Sequence, residues 1–334
     1  MNIAVLHKII NWILRFLKLQ LFISLLAMPI LLWWGLPLSI LSPIGNLIFG
    51  PALTLFLILS SLFFFTELLH IPNGLIASCL DKFTQAWLYL IQSDNHKWLF
   101  GFAKPSLCFL IFIPCMAMLI LHFKKFKYTA QSVACFTLLL VGSCLYIKTV
   151  NTKTNSIQTM PCNRGQLTLL HDKKKLIVID PGVIGQRISA ASWIEYTFAP
   201  QLIQTSGKTT IDSLILLQPS AMLFQAIEML VTKIKVKEIY LIYWQGSLEK
   251  REWSRFFGMK NALEAQGVKV HRITNKKITL ALSDKSHVVI EPLPEMITYK
   301  EIKFPAVVVQ GNIDDTPFHV QSHKCKTRTS VRND

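Results

Sequence analysis

No Cys-x-x-Cys pair occurs in this sequence, and no Cys/His grouping has zinc spacing. Neither a disulfide framework nor a metal knuckle is therefore indicated. Cys79, Cys108, Cys115, Cys135 and Cys144 lie in apolar sequence and read as small buried hydrophobes, leaving only Cys162 and Cys325 in polar surroundings. A Gly-x-Ser-x-Gly elbow is missing, as is a Cys/His dyad. Gly207-Lys208-Thr209 echoes the end of a phosphate loop. Position 202 is Leu where that loop needs glycine, and a strand follows where a helix is required. A cleavable signal peptide is also lacking. Lys8, Arg15 and Lys18 interrupt the first apolar stretch, and no small-residue cleavage site follows promptly. Acidic residues are few, 19 against 35 Lys and Arg, which leaves a formal charge of +16. Such basicity favours phosphate backbones or anionic lipid as neighbours. Membrane topology alone also enriches Lys and Arg.

Hydrophobic residues make up 51% of the 334, and they are unevenly spread. Residues 1–150 are dominated by apolar blocks, and residues 151–334 read as a soluble domain. The order is an α-helical transmembrane domain followed by a layered α/β domain.

In the first half, an amphipathic lead-in helix precedes a span from Leu19 to Trp34, with Trp33 and Trp34 suited to an interface. Ile40 to Thr66 is too long for one straight crossing and holds Pro43, Gly45, Asn46, Gly50 and Pro51. It reads either as a broken, re-entrant helix lining a passage or as a kinked structural helix. Pro43, Asn46 and Pro51 are the channel-lining candidates. Residues 71–104 carry an amphipathic helix suited to a membrane surface. Two further spans fall at Ser106 to Leu121 and Thr129 to Ile147, separated by Lys124, Lys125 and Lys127. Those lysines favour the cytoplasm, which puts the C-terminal domain on the outer side. A plain four-span count puts it inside.

The run Pro29, Gly35-Leu36-Pro37-Leu38-Ser39, then Ser42-Pro43-Ile44-Gly45-Asn46 through Gly50-Pro51, resembles the signature of ComEC-type competence proteins, inner-membrane DNA-uptake channels. The resemblance covers residues 15–150, the last part of that family's membrane domain. The family's N-terminal spans and small β-domain have no counterpart here. It implies an inner-membrane location and a role with single-stranded DNA. Membrane lipid, other competence membrane proteins or further copies of the chain are the other expected partners.

In the second half, residues 151–160 read as a polar linker. A hairpin follows, Gln166 to Leu170 and Lys175 to Asp180. Next come a helix from Ser192 to Gln204, a strand from Leu214 to Leu217 and a helix from Leu223 to Lys233. A strand from Glu238 to Tyr243 and a helix from Trp253 to Gln266 follow. The remaining strands are Val268 to Ile273, Lys277 to Leu282, Ser286 to Glu291 and Ala306 to Gln310. Strands alternating with helices imply a layered α/β domain.

That order resembles the metallo-β-lactamase-like domain that ends many ComEC-type proteins. Leu176 to Gly182 matches the family's Leu-Ile-Asp-x-Gly, and Ile211-Asp212-Ser213-Leu214 matches the Ile-Asp-x-Leu before its metal motif. Gly165 alone is kept from an earlier Gly-rich stretch. The metal motif, His-x-Asp-x-Asp-His, is replaced by Gln218, Ser220, Met222 and Leu223. A two-metal hydrolase needs imidazole and carboxylate ligands. Met and Leu supply none suited to zinc or manganese. Asp180 is kept, but one carboxylate makes no site, and Asp180-Pro181-Gly182 reads as a strand-closing turn. Asp212 reads as the start of a strand. His319 and His323 read as part of a polar tail. No catalytic residue and no cofactor is expected.

Lys173, Lys174, Lys175, Lys233, Lys235, Lys237, Arg251 and Arg255 are the DNA-contact candidates, with Trp253 interleaved among the last two. Such surfaces track a nucleic-acid backbone without reading sequence. Solvated charge is the plain alternative. Three functional readings follow: a divergent, shortened ComEC-type DNA-transport protein with a non-hydrolytic domain, a nuclease with an atypical site, or a remnant that has lost competence.

Overall fold

The computed structural model describes residues 3–39, 42–92, 99–122, 129–150, 156–162, 165–172, 175–186, 190–246, 250–283, 285–299 and 301–322. These fall into two units. The first is Met1–Trp33, Pro37–Phe100 and Pro105–Ile147; the second is Trp34–Leu36, Gly101–Lys104 and Lys148–Asp334.

The first unit is helical. α1 (Ile3–Trp33) is uninterrupted, so the amphipathic lead-in and the first span are one helix. Its buried positions Leu21, Leu25, Met28 and Leu32 recur at i, i+4, i+7 and i+11 and so form one stripe. α4 (Leu107–His122) packs on α1 and buries Leu110, Ile113 and Ala117. α5 (Thr129–Val150) buries Phe136, whose ring lies 5.9 Å from that of Phe22.

α2 (Ser42–Leu68) is continuous, which overturns the broken-helix reading in favour of a structural helix. The cause is positional. Pro43 falls in the first turn, where its missing N–H has no intrahelical acceptor to lose. Pro51 removes one bond, and the helix runs on through it. α3 (Gly74–Gln92) lies against α2 through Phe49–Trp87 at 4.8 Å and Phe56–Phe83 at 6.3 Å. Asn46 is exposed, and its Nδ2 donates to Gln20 Oε1 at 2.9 Å, tying α2 to α1. Such interhelical bonds contribute about 0.6 kcal/mol in membranes. Asn46→Leu is therefore expected to lower stability by about that amount. A double-mutant cycle with Gln20→Leu, read by unfolding in detergent, should show the second substitution adding nothing.

Three described helical segments are long and apolar enough to cross a membrane: Val5–Trp33, Phe49–Leu68 and Thr129–Thr149. None of the residues of Phe49–Leu68 is buried, as suits a helix surrounded by lipid. The expected span near 106–121 is the 16-residue α4. At 1.5 Å per residue it rises about 24 Å, short of a hydrocarbon core of about 30 Å. Between these helices, β1 (Leu38–Ser39) pairs antiparallel with β2 (Leu99–Phe100).

The second unit holds a six-stranded sheet in chain order: β3 (Ser156–Cys162), β4 (Gly165–Asp172), β5 (Lys175–Asp180), β6 (Thr210–Leu216), β7 (Lys235–Ile242) and β8 (Lys269–Ile273). β3, β4 and β5 pair antiparallel, and β5 to β8 run parallel. Helical segments link the parallel strands. After β5 come α6 (Ala190–Trp193), a π-helical turn (Ile194–Phe198) and α7 (Ala199–Ser206); after β6 comes α8 (Ala221–Lys233); after β7 comes α9 (Lys250–Ala265). The strands step in one direction, so right-handed crossovers put every helix on one face. Packing of α8 on α9 and on α6 agrees. A four-stranded antiparallel sheet follows: β9 (Ile278–Ser283), β10 (Ser286–Tyr299), β11 (Ile302–Ile313) and β12 (Thr316–Gln321). Both sheets and the helices share one core, with Leu214, Ile215, Phe224, Leu230, Ile290 and Phe304 at most 1% exposed.

Two expectations are corrected here. Residues 156–160, read as linker, belong to β3, and residues 151–155 lie outside the described set. His319 sits on β12 opposite Gln310, so it is not in a tail; His323 lies outside the described residues.

Candidate functional site

The C-terminal ends of β5 and β6 meet beside Gln218, Ser220, Met222 and Leu223. Asp180 closes β5 opposite Leu216, and the Leu217 N–H donates to the Asp180 carbonyl at 3.0 Å. The chain then turns through Pro181 and Gly182. Asp180 Oδ1 accepts from the N–H groups of Gly182, Val183 and Ile184 at 3.0, 2.7 and 3.3 Å. The carboxylate thus holds the turn, as an Asx-type cap does. Gly182 has φ +106°, and a Cβ there would strike the side chain of Gln218. Only glycine fits.

Gln218, Ser220 and Leu223 fill the adjoining space, each less than 9% exposed. Ser220 is the N-cap of α8, its Oγ accepting from the Leu223 N–H at 3.1 Å. Ser220 and Leu223 also press on Gly185. Met222 is half-buried, and its Sδ accepts from Arg255 Nη1 at 3.5 Å. Each of these four residues caps, packs or supports, and none carries an imidazole, a carboxylate or a thiolate. The donor set does not fit zinc or manganese. Among the described residues no group of three or more His, Cys, Asp or Glu comes together to hold a metal. Ser220→Ala is expected to cost about 1 kcal/mol through loss of the cap. Ser220→Asn should restore most of it, both read in a denaturant melt.

Two acceptors in this corner have no hydrogen-bond partner among the described residues: Asp180 Oδ2 and Gln218 Oε1. Asp180 is fully buried, and burial pushes its carboxyl up to about 6 against the pull of three N–H donors.

The opposite edge of the same sheet, at the N-terminal ends of β5 to β8, is lysine-rich. Asp212 lies inside β6, not at its start. Its Oδ2 accepts from the Leu176 N–H at 2.8 Å, and its Oδ1 from Lys237 Nζ at 2.6 Å. Lys175 donates from Nζ to the Ala281 carbonyl at 2.8 Å, and Lys233 pairs with Glu195 at 2.8 Å. Lys235 is exposed, opposite Thr210. Gly207 ends α7 in the left-handed conformation, so Gly207-Lys208-Thr209 is a helix stop leading into β6. Lys208 Nζ is buried, and burial lowers its pKa while Asp212 and Asp172 oppose that.

Of the DNA-contact candidates, Lys175, Lys233, Lys235 and Lys237 gather at this edge. Arg255 lies at the other end, on α9. Arg251 is on α9, with its side chain outside the described set, and Lys173 and Lys174 lie outside it altogether. Sequence reasoning weighed Lys208 in a phosphate loop and Asp172 in an atypical nuclease site without placing either at this edge, and it missed the two loops Trp34–Leu36 and Gly101–Lys104, which belong to this unit. The Lys104 N–H donates to the Gln204 carbonyl at 2.9 Å. No signal short of tertiary contact links those loops to α7.

No protein-family model matches the chain, and no curated protein matches it.

Proposed function

We propose that this chain is a divergent, membrane-bound protein of the ComEC type that takes part in moving single-stranded DNA across the inner membrane. Its α/β domain, of metallo-β-lactamase type, faces the outer side and does not hydrolyse. The observation that carries the non-hydrolytic part is the filled corner at Asp180, where Gln218, Ser220 and Leu223 are buried and Ser220 caps α8. The order of apolar helices followed by a mixed α/β domain supports the broader reading.

α9 is the surface offered to DNA. Trp253 and Phe257 stack at 5.7 Å and Phe257 is 51% exposed, on a helix that also carries Arg251 and Arg255. Base stacking on aromatic groups beside basic ones binds single strands without sequence preference. Fluorescence anisotropy with a labelled single strand, using the full chain in phosphatidylcholine nanodiscs, tests this. Affinity should fall steeply as salt rises. Phe257→Ala should weaken binding about five- to tenfold, from loss of a stacked base. Binding indifferent to salt and to Phe257 contradicts the proposal.

A further inference from the structure

The lysine-rich edge of the six-stranded sheet is also the edge at which the chain passes between this unit and the apolar helices. Three junctions converge there. Ser156 opens β3 opposite His171, beside the end of β4. Gly101–Lys104 lies along the end of α7, with Gly101 against the Gly207 carbonyl and the Lys104 N–H on the Gln204 carbonyl. Trp34–Leu36 lies against Pro200 and Gln204 of the same helix. In sequence, Trp34 directly follows the last residue of α1, Lys104 shortly precedes α4, and Ser156 shortly follows α5. By covalent reach alone, Trp34 and Ser156 keep this edge within a few residues of α1 and α5, helices able to cross a membrane.

The chemistry of the edge matches that position. Lys104, Lys235 and Lys237 are exposed, and Lys208, its Nζ buried, lies within electrostatic reach of Lys237. Asp212 and Asp172 offset part of this charge and leave an excess of lysine. Beside them Trp34 is 61% exposed and Leu36 is also exposed. An exposed indole next to lysines is the pattern of a surface seated at the headgroup level: the ring enters the interface and the ammonium groups meet phosphate. A nucleic-acid backbone gives an exposed leucine no role.

We infer that this edge, formed by Lys104, Lys235 and Lys237 with Trp34 and Leu36, is a docking surface for anionic phospholipid headgroups. It holds the α/β unit against the bilayer, and it is separate from the α9 surface assigned to DNA. Anionic lipid composition would then set how firmly the unit is held.

Hydrogen exchange on the full chain tests this in two kinds of nanodisc, phosphatidylcholine alone and phosphatidylcholine with phosphatidylglycerol. Amides of 204–210 and 235–237 should exchange about fivefold more slowly in the anionic discs, the effect of roughly one lysine–headgroup interaction. The difference should vanish at about 1 M salt, where charges are screened within about 3 Å. Lys235→Glu should abolish it and Lys235→Arg retain it, with exchange in β10 and β11 unchanged as the sign of an intact fold. Equal exchange in both discs overturns the inference. So does equal protection of these segments by single-stranded DNA in phosphatidylcholine discs, which makes nucleic acid the occupant. Loss of DNA binding on α9 with lipid-dependent protection retained contradicts the proposed function and leaves the lipid surface standing.

Discussion

Asp180→Ala is expected to destabilise the α/β unit by about 3 kcal/mol or more, whereas Asp180→Asn should be neutral or stabilising at neutral pH. Alanine removes the acceptor that holds three N–H groups at the end of β5 and leaves them buried without partners. Asparagine keeps an oxygen for those donors. It also removes a charge from a fully buried position and puts a donor where Oδ2 has no partner. The two substitutions separate holding the turn from carrying a charge. A catalytic carboxylate fails with either.

The same residue gives stability a pH dependence. Burial pushes the Asp180 carboxyl from 3.8 up to about 6. Between these values the folded chain holds a proton that the unfolded chain has released. Its contribution is therefore fully present below about pH 4 and is lost as pH rises through about 6. A gap of about two units corresponds to roughly 3 kcal/mol. Pulse proteolysis in urea, from pH 4 to 8, should show this decline in the native protein and its absence in Asp180→Asn. A slope of the opposite sign in the difference between the two proteins places Asp180 in an ion pair instead.

Gly35→Val should release the Trp34–Leu36 loop from the α/β unit. Gly35 has φ +69°, a region that costs a β-branched residue about 1–2 kcal/mol. A Cβ there would fall on the carbonyl oxygen of Pro200, with the carbonyl carbon at 2.8 Å. That carbonyl belongs to helical backbone and cannot swing aside. The combined loss is expected to reach about 2–4 kcal/mol. It should appear as faster hydrogen exchange across Ala199–Gly207 and as new protease cleavage near residue 35. Gly74→Ala is the control. Nothing lies within 4 Å of its Cβ position, and its conformation is ordinary, so no loss is expected. An unchanged exchange pattern in Gly35→Val contradicts the docking of this loop.

What the sequence made legible follows from burial. β5, β6 and β7 are buried along most of their length and read as apolar runs; α8 shows helical spacing and ends at Lys233. β3 was hidden because its buried side chains are few, Met160 and Cys162, with Pro161 between them. β12 is an edge strand with four of its six residues exposed, so its polar content read as a tail. In α2, prolines and glycines gave the signature of a break, but Pro43 stands where a helix tolerates it. Gln218, Ser220 and Leu223 were visible one by one. Their packing against the Gly182–Gly185 turn was not, because it joins residues more than thirty apart in sequence. The lysine edge was half visible. Lys235 and Lys237 alternate on a strand, but Lys104 and Lys208 reach the same place from other parts of the chain.

We propose that the corner at Asp180 is scaffold and that the domain handles DNA without cutting it. Metal content and nuclease activity, measured together on the purified full chain in zinc and in manganese, test it most directly. Substoichiometric metal, no cleavage of single-stranded DNA, and the same result in Asp180→Asn are expected. Stoichiometric metal with cleavage, both abolished by Asp180→Asn while the fold survives, would contradict it.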